Sequence, residues 1–286
     1  MKDISELLGC KYPIIQGAMG VICNPEFVAA VSEAGGYGLL ATAFDSDPAI
    51  LKARVDEVKT LTDKPFGANL MALHPMAFEF ADIMVEAGVK AVTTSGGSPK
   101  ALVPYLKERG VKVLHVVSNV SNAIKAAAAG VDAVIAEGSE SGGMQGFNGA
   151  STMVLTPTVV DAVDGPVVAA GGIGDRRGYR AAFVLGAVGV QVGTAFIAAE
   201  ECIAHANYKN ALVSASESDT RLMNAGWAQF RVVATPVAEK MVAKGGLSKE
   251  EFSAQGAKIE AAWLHGDLEA GTIPAGQSTG MTKTIR

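Results

Sequence analysis

Eight times between residues 1 and 199 a short apolar run is followed by a turn and then by a stretch of helical character. The runs are "YPIIQGAM", "YGLLAT", "FGANLMA", "AVTTSG", "KVLHVVS", "AVIAEG", "PVVAAGGI" and "GVQVGTAF". Each is apolar throughout instead of alternating, the pattern of a parallel strand covered on both faces. The stretches between them carry helix punctuation. In "NPEFVAAVSEAGG", Asn24 stands as the N-cap, Pro25 opens the first turn and glycines end it. Units of this kind build either an open doubly wound sheet or a closed barrel. Eight in one series, with glycine and polar residues gathered where each run ends, favour the barrel. The expected fold is α/β, a (β/α)8 TIM barrel over residues 1–199.

The alternation then stops. Residues 200–264 read as helices, in "HANYKNALVSAS", "TPVAEKMVAKGG" and "LSKEEFSAQGAKIEAAWLHG", and are expected to form a small helical cap subdomain beside the barrel mouth. The last segment, residues 265–286, is glycine-rich and is expected to return to that mouth. A hydrophobic content of 49% supplies the core of one large domain. The net charge of −5 gives no reason to expect nucleic acid or an anionic membrane as a partner. No apolar run approaches the roughly twenty residues of a membrane span, and "MKDISELLGCKYP" lacks the apolar core of a signal peptide. Cys10, Cys23 and Cys202 stand far apart with no CxxC spacing, which points to reduced thiols in the cytoplasm and to no metal site.

In such a barrel the active site is built at the C-terminal ends of the strands. Those ends carry Gln16-Gly17-Ala18-Met19, Asn69, Ser118, Glu137-Gly138, Gly171-Gly172 and Gly193-Thr194. The glycines of "AAGGI" and "QVGT" close the seventh and eighth runs, where backbone N–H groups and helix dipoles can hold a phosphate. Asn69 and Gln191 add amides that could meet a flavin ring or its ribityl hydroxyls. Glu137 is the one carboxylate at these ends, and no lysine stands among them, which argues against phosphosugar proton transfer.

At this point "YPIIQGAMG", "KPFGANLM", "VDAVIAEGSESGG", "VVAAGGIGD", "VQVGTAF", "AHANYK" and, near the end, "PAGQSTG" together resemble an FMN-dependent family. That family (2-nitropropane dioxygenase-like) holds the nitronate monooxygenases, the flavin-type enoyl-acyl-carrier-protein reductases and related NADH:quinone reductases. The resemblance implies a flavin-binding barrel in which Ala18, Met19, Asn69, Glu137, Gly143, Gly171, Gly172, Gly193 and Thr194 line FMN. It also exposes two departures. The family's usual loop reads "EGxEAGGHxG", and its histidine, to which the resemblance assigns proton abstraction beside a nitro group, is Met144 here. A thioether has no proton to exchange and is a very weak base. The arginine of the family's "VGTRF" is Ala195.

Hydride transfer asks less of the protein than nitronate oxidation does, because the cofactor carries the chemistry. The leading expectation is therefore an NADH- or NADPH-dependent FMN oxidoreductase that reduces an activated C=C of an enoyl thioester or an enone. Met144 would pack on the apolar substrate, while His74 or Ser141 would supply the missing proton; Ser139, His115 and His265 are further candidates, Gln145 could orient a carbonyl, and His205 reads as structural. No GxGxxG motif is present, so the nicotinamide is expected to bind transiently over the flavin. Nitronate monooxygenase, NADH:quinone reductase and a flavin-binding protein with vestigial activity are the alternatives. The expected partners are small molecules, with a homodimer left open. Arg176, Arg177 and Arg180 of "DRRGYR" are either a solvated face or a contact for an acidic acyl carrier or a phosphate.

Overall fold

The barrel interior is filled by Ile15, Leu39, Ala91, Leu114, Ala133, Ile135, Val168 and Ala170, one or two from each contributing strand. These strands are the apolar runs of the sequence. The structure is a computed structural model that describes residues 4–147, 149–248, 250–251 and 254–286. Helix α1 (Ile4–Leu8) precedes β1 (Ile14–Gln16), and the alternation follows as α2 (Pro25–Glu33), β2 (Gly38–Ala41), α3 (Pro48–Leu61), β3 (Phe66–Met71), α4 (Ala77–Glu86), β4 (Ala91–Ser95), α5 (Pro99–Glu108), β5 (Lys112–Val117), α6 (Val120–Ala128) and β6 (Ala133–Glu137). After a loop containing the short β7 (Gly143–Gln145) come α7 (Thr152–Ala162), β8 (Val167–Ala170), α8 (Arg176–Val184), β9 (Gly189–Val192) and the four-residue α9 (Thr194–Ile197). The parallel sheet runs β1-β9-β8-β6-β5-β4-β3-β2. A parallel bridge between Ile15 and Tyr37 joins its two ends, so the eight strands form a nearly closed barrel.

That seam is thin, and side chains complete it. Backbone bonds run from Gln16 N–H to the Tyr37 carbonyl (3.0 Å) and from Tyr37 N–H to that of Ile14 (2.9 Å). The next ladder position is taken by a side chain: Gln16 Oε1 accepts from Leu39 N–H at 3.0 Å. The Tyr37 hydroxyl lies between the carbonyls of Phe66 (2.9 Å) and Ala91 (2.7 Å), tying the seam to β3 and β4. Ile4 and Leu8 of α1 plug the bottom, where a β-carbon on Gly189 would collide with Ile4.

The helices start where side chains satisfy their first N–H groups. Asn24 accepts from Phe27 N–H at 3.3 Å, as the sequence leads one to expect, and Asp47, Ser98, Asn119 and Asp175 cap α3, α5, α6 and α8. Since helices in a (β/α) unit follow the strand ends, all these caps face the barrel mouth.

Beyond the barrel, each of the three stretches read as helical contains a helix: α10 (Ala206–Ser214), α11 (Pro236–Ala243) and α12 (Gly256–Trp263). Residues 220–233 differ from the all-helical reading of this region. They form an antiparallel hairpin, β10 (Thr220–Asn224) and β11 (Gln229–Val233), turned at Gly226 with φ of 75° and with Asn224 Oδ1 accepting from Gly226 N–H. Strand β11 pairs with β7, Phe230 opposite Met144, so the cap and the loop after β6 share one three-stranded sheet. Residues 273–286 lie against this assembly through Val233 N–H to the Ile273 carbonyl (2.9 Å) and Arg286 N–H to that of Ala198 (3.0 Å). Among the described residues no helix is long and apolar enough to cross a membrane.

The seam carries a direct test. Gln16→Met keeps side-chain volume but leaves the fully buried Leu39 N–H without its acceptor, a cost of about 1–3 kcal/mol. The melting temperature should fall by about 3–10 °C, which thermal denaturation followed by circular dichroism measures.

Candidate active site

A cavity of about 880 Å³ opens at the C-terminal ends of the barrel strands. This lies within the roughly 300–1,000 Å³ usual for cofactor and ligand sites. Of the residues the sequence singles out, Ala18, Met19, Asn69, Glu137, Ser141, Gly143, Met144, Gly171, Gly172, Gln191, Gly193 and Thr194 all line it. His74 does not. The chain turns back after β3, with His74 N–H bonded to the Met71 carbonyl (2.9 Å), and its ring packs beside Phe80 while Nδ1 accepts from Met76 N–H. His74 therefore shapes the first turn before α4.

One end of the cavity is the glycine corner. Gly171 and Gly172 take φ of 92° and 67°, conformations that turn the backbone sharply after β8 without steric cost. Gly193 caps α9 beside them, and Thr194 opens that helix. The Thr194 hydroxyl accepts from Gly276 N–H at 2.9 Å, so the C-terminal segment forms part of the same corner. A flavin phosphate fits this corner because the surface there is backbone, with Gly193 leaving open the space a side chain would fill. Asn69 is held ready: its Nδ2 donates to Ser95 Oγ (3.0 Å) and its Oδ1 accepts from Thr93 Oγ1 (2.9 Å). Its amide is thus fixed by β4 at the cavity wall.

The loop after β6 forms the adjoining side, against Gly171 and Gly172, and its two carboxylates have separate tasks. Glu140 accepts from Thr152 N–H (2.8 and 3.0 Å to its two oxygens) and from Thr152 Oγ1 (3.0 Å). It caps α7, whose own N-cap residue Ser151 makes no side-chain bond. Glu137 instead faces the cavity, and burial pushes its carboxyl up to about 7. The nearby Ser141 hydroxyl offsets part of that rise, yet it is buried and no hydrogen bond of ordinary geometry partners it. Arg231 of β11 donates from Nε (3.1 Å) and Nη2 (2.9 Å) to the Ser139 carbonyl, while Gln277 N–H donates to that of Glu140 (2.9 Å). Strand pairing, an arginine and the C-terminal segment thereby hold this loop from three sides.

Met144 projects from β7 toward the ends of β3 and β4. Its Cε lies 3.3 Å from where a β-carbon on Gly96 would stand, and Met71 Cε occupies the same spot from the other side. The two thioethers form an apolar wall of the cavity beside Gly96. Among the other histidines, His115 lines the cavity with Nδ1 against Thr94 Oγ1 (2.8 Å), and burial lowers it to about 4. His205 caps α10 by accepting from Asn207 N–H, a structural role, and His265 lies on the exposed side of the cap away from the cavity. Arg176, Arg177 and Arg180 stay outside the cavity, Arg177 pairing with Asp175 (2.7 Å). Sequence reasoning missed the apolar contributions of Phe230, Tyr208 and Trp263, which reach the cavity from distant segments of the cap, and those of Lys100 and Lys125.

Comparison with known proteins places this geometry. A sequence profile described as nitronate monooxygenase matches residues 2–286. FabK of Thermotoga maritima is 39% identical, with a TM-score of 0.91 over 100% of this chain and 92% of its own. A nitroalkane oxidase of Streptomyces ansochromogenes is 27% identical, with a TM-score of 0.87 over 98% of this chain and 93% of its own. Among relatives by sequence, the (3aS,4S,5R,7aS)-5-hydroxy-7a-methyl-1-oxo-octahydro-1H-indene-4-carboxyl-CoA dehydrogenase of Rhodococcus jostii is 38% identical over 76% of this chain; the match spans 61% of that relative's length.

The glycine corner can be tested apart from any activity. Gly193 has a φ of −112°, open to any residue, and a β-carbon there meets only Met19 Sδ at 3.6 Å. Gly193→Val should weaken FMN binding at least about tenfold, or about 1.4 kcal/mol. The flavin-free protein should melt within about 3 °C of wild type, because an altered cap costs only about 1 kcal/mol. Flavin fluorescence titration and calorimetry read the two quantities.

Proposed function

The chain belongs to the nitronate monooxygenase family, and within it we propose a flavin-dependent oxidoreductase that takes electrons from NADH or NADPH and reduces the activated C=C of an enoyl thioester or enone. The observation that carries this reading is the Met71–Met144 wall. Where nitronate oxidation wants a base, this chain sets two thioethers against an otherwise largely apolar cavity. The likeness to FabK, a flavin enoyl reductase, over the whole chain supports it, as does a relative whose substrate is an acyl-CoA.

When bound, FMN supplies two-electron hydride chemistry. The residues of the chain provide binding, exclusion of water and a proton. Gly171, Gly172, Gly193 and Thr194 hold the phosphate end, with the Asn69 and Gln191 amides along the wall. Met71 and Met144 lie against the planar acceptor and keep water from it, since thioethers pack well on flat unsaturated groups. The Glu137 carboxyl, raised to about 7, remains substantially protonated at neutral pH, and Ser141 Oγ stands beside it without a partner. This pair holds a proton at the cavity wall and delivers it through Ser141 Oγ to the second carbon of the double bond.

A second reading, nitronate oxidation, is favoured by the likeness to a nitroalkane oxidase. It would require Glu137, the one carboxylate lining the cavity among the described residues, as the base. Anaerobic mixing separates the two. NADH or NADPH should bleach the flavin, and a short enoyl thioester or a cyclic enone should restore its colour with formation of the saturated product. Bleaching by a nitronate alone would overturn the ene-reduction reading, reoxidation by quinone alone would move the protein to quinone reduction, and no bleaching by any donor would leave a flavin carrier.

The Met144 argument yields an independent expectation. Met144→His should raise nitronate oxidation on the order of 100-fold, the scale of a positioned general base. Steady-state oxygen consumption with a nitronate, compared with wild type, measures it.

A further inference from the structure

The cavity has a second end, and its chemistry is opposite to that of the rest of the chain. In the barrel order β4 stands four strands from β9, directly across the mouth from the Gly193–Thr194 corner. After β4 the chain runs through Gly96 and Gly97, with φ of 57° and 152°, into Ser98 and Lys100 at the start of α5. Beside it α6 presents Asn122 and Lys125, three residues apart and so on one helix face. Lys100, Asn122 and Lys125 all line the cavity. Neither ammonium group takes part in an ion pair or hydrogen bond among the described residues, whereas Lys107 on α5 is paired with Asp132. Two unpaired cations thus line one end of a cavity in a protein of net charge −5, and the one carboxylate lining it among the described residues, Glu137, stands at the end of β6, the strand next to β5.

His115 supplies an independent sign that this end receives a ligand. The residue is only 3% exposed and lines the cavity, its Nδ1 is engaged by Thr94, and its Nε2 has no hydrogen-bond partner among the described residues. An imidazole nitrogen at a cavity wall with no protein partner is open to a polar group of a ligand.

We propose that Lys100 and Lys125, with His115 beneath them, form a second anion subsite that takes the phosphates of a nucleotide-tailed reactant. The shared chemistry is the adenosine diphosphate carried by both coenzyme A thioesters and nicotinamide dinucleotides. Its phosphates rest on Lys100 in the first turn of α5, where the helix dipole adds to the attraction, and on Lys125 of α6. The reacting end then passes along the Met71–Met144 wall toward the glycine corner. The proposal deepens the reading of the site as an oxidoreductase centre and rests on it only for what is reacted, not for what is bound.

The test is calorimetric binding to the FMN-loaded protein of coenzyme A, NADH, NADPH and pantetheine, the last lacking any phosphate. Wild type is compared with Lys100→Gln/Lys125→Gln and with Lys52→Gln, a lysine on the outer face of α3. The double variant should lose at least tenfold in affinity for coenzyme A, for the dinucleotides, or for both, with pantetheine, the flavin spectrum and the melting temperature unchanged. Loss for coenzyme A alone assigns the subsite to the substrate, and loss for a dinucleotide alone assigns it to the electron donor. Equal affinity of double variant and wild type for all three phosphorylated ligands overturns the proposal, as does failure of all three to bind wild type at millimolar concentration. Lysine-dependent binding without reduction of any C=C would sustain the subsite while removing the ene-reduction reading.

Discussion

Everything at the barrel mouth is placed by a ring of hydrogen bonds that has one weak link, between β1 and β2. Strand β1 offers three residues, too few for a full ladder, so the Gln16 side chain acts as one more carbonyl and Tyr37 anchors the seam to β3 and β4. Closure removes the open sheet edges that would otherwise remain. It also sets the diameter of the mouth, and with it the distance across which the β4 and β9 ends face each other. An amide buried at this seam is a structural requirement, even though Gln16 directly precedes residues that line the cavity.

On that frame the loop after β6 is fixed from outside. Its short strand β7 adds to the β10–β11 hairpin, Arg231 grips the Ser139 carbonyl, and the C-terminal segment passes so close to Gly142 that a β-carbon would collide with Ala275. A pocket wall that must hold a substrate over a cofactor gains from such rigidity, because misplacement by an ångström is costly to catalysis. The same pinning separates the two glutamates of "EGSE". Glu140 is drawn away to cap α7, whereas Glu137 stays at the end of β6 in the cavity, where loss of water raises its pKa.

The resulting site is soft and apolar in the middle and polar at both ends. Backbone glycines form the corner across from two unpaired lysines, and methionines lie between. Such a layout suits a long reactant with a charged tail and a flat, weakly polar reacting end.

The strand–helix series, the barrel and the mouth residues were legible in the sequence because each rests on a local signal. A buried parallel strand is an apolar run, a helix start is an Asn, Ser or Asp before its first turn, and a strand end is known once the strand is. The glycine corner belongs to this class, whereas the departure at Met144 was visible only against the loop of the family that the chain resembles. Tertiary structure alone decided where His74 points, because the turn at residues 72–76 folds it onto α4 instead of into the mouth. It alone decided that residues 220–233 form a hairpin, whose partner β7 lies more than seventy residues earlier. It alone brought Lys100 and Lys125 into the cavity that holds Gly193. Pairing and proximity between distant segments depend on barrel closure and on register between strands, and neither leaves a periodicity or a spacing for the sequence to display.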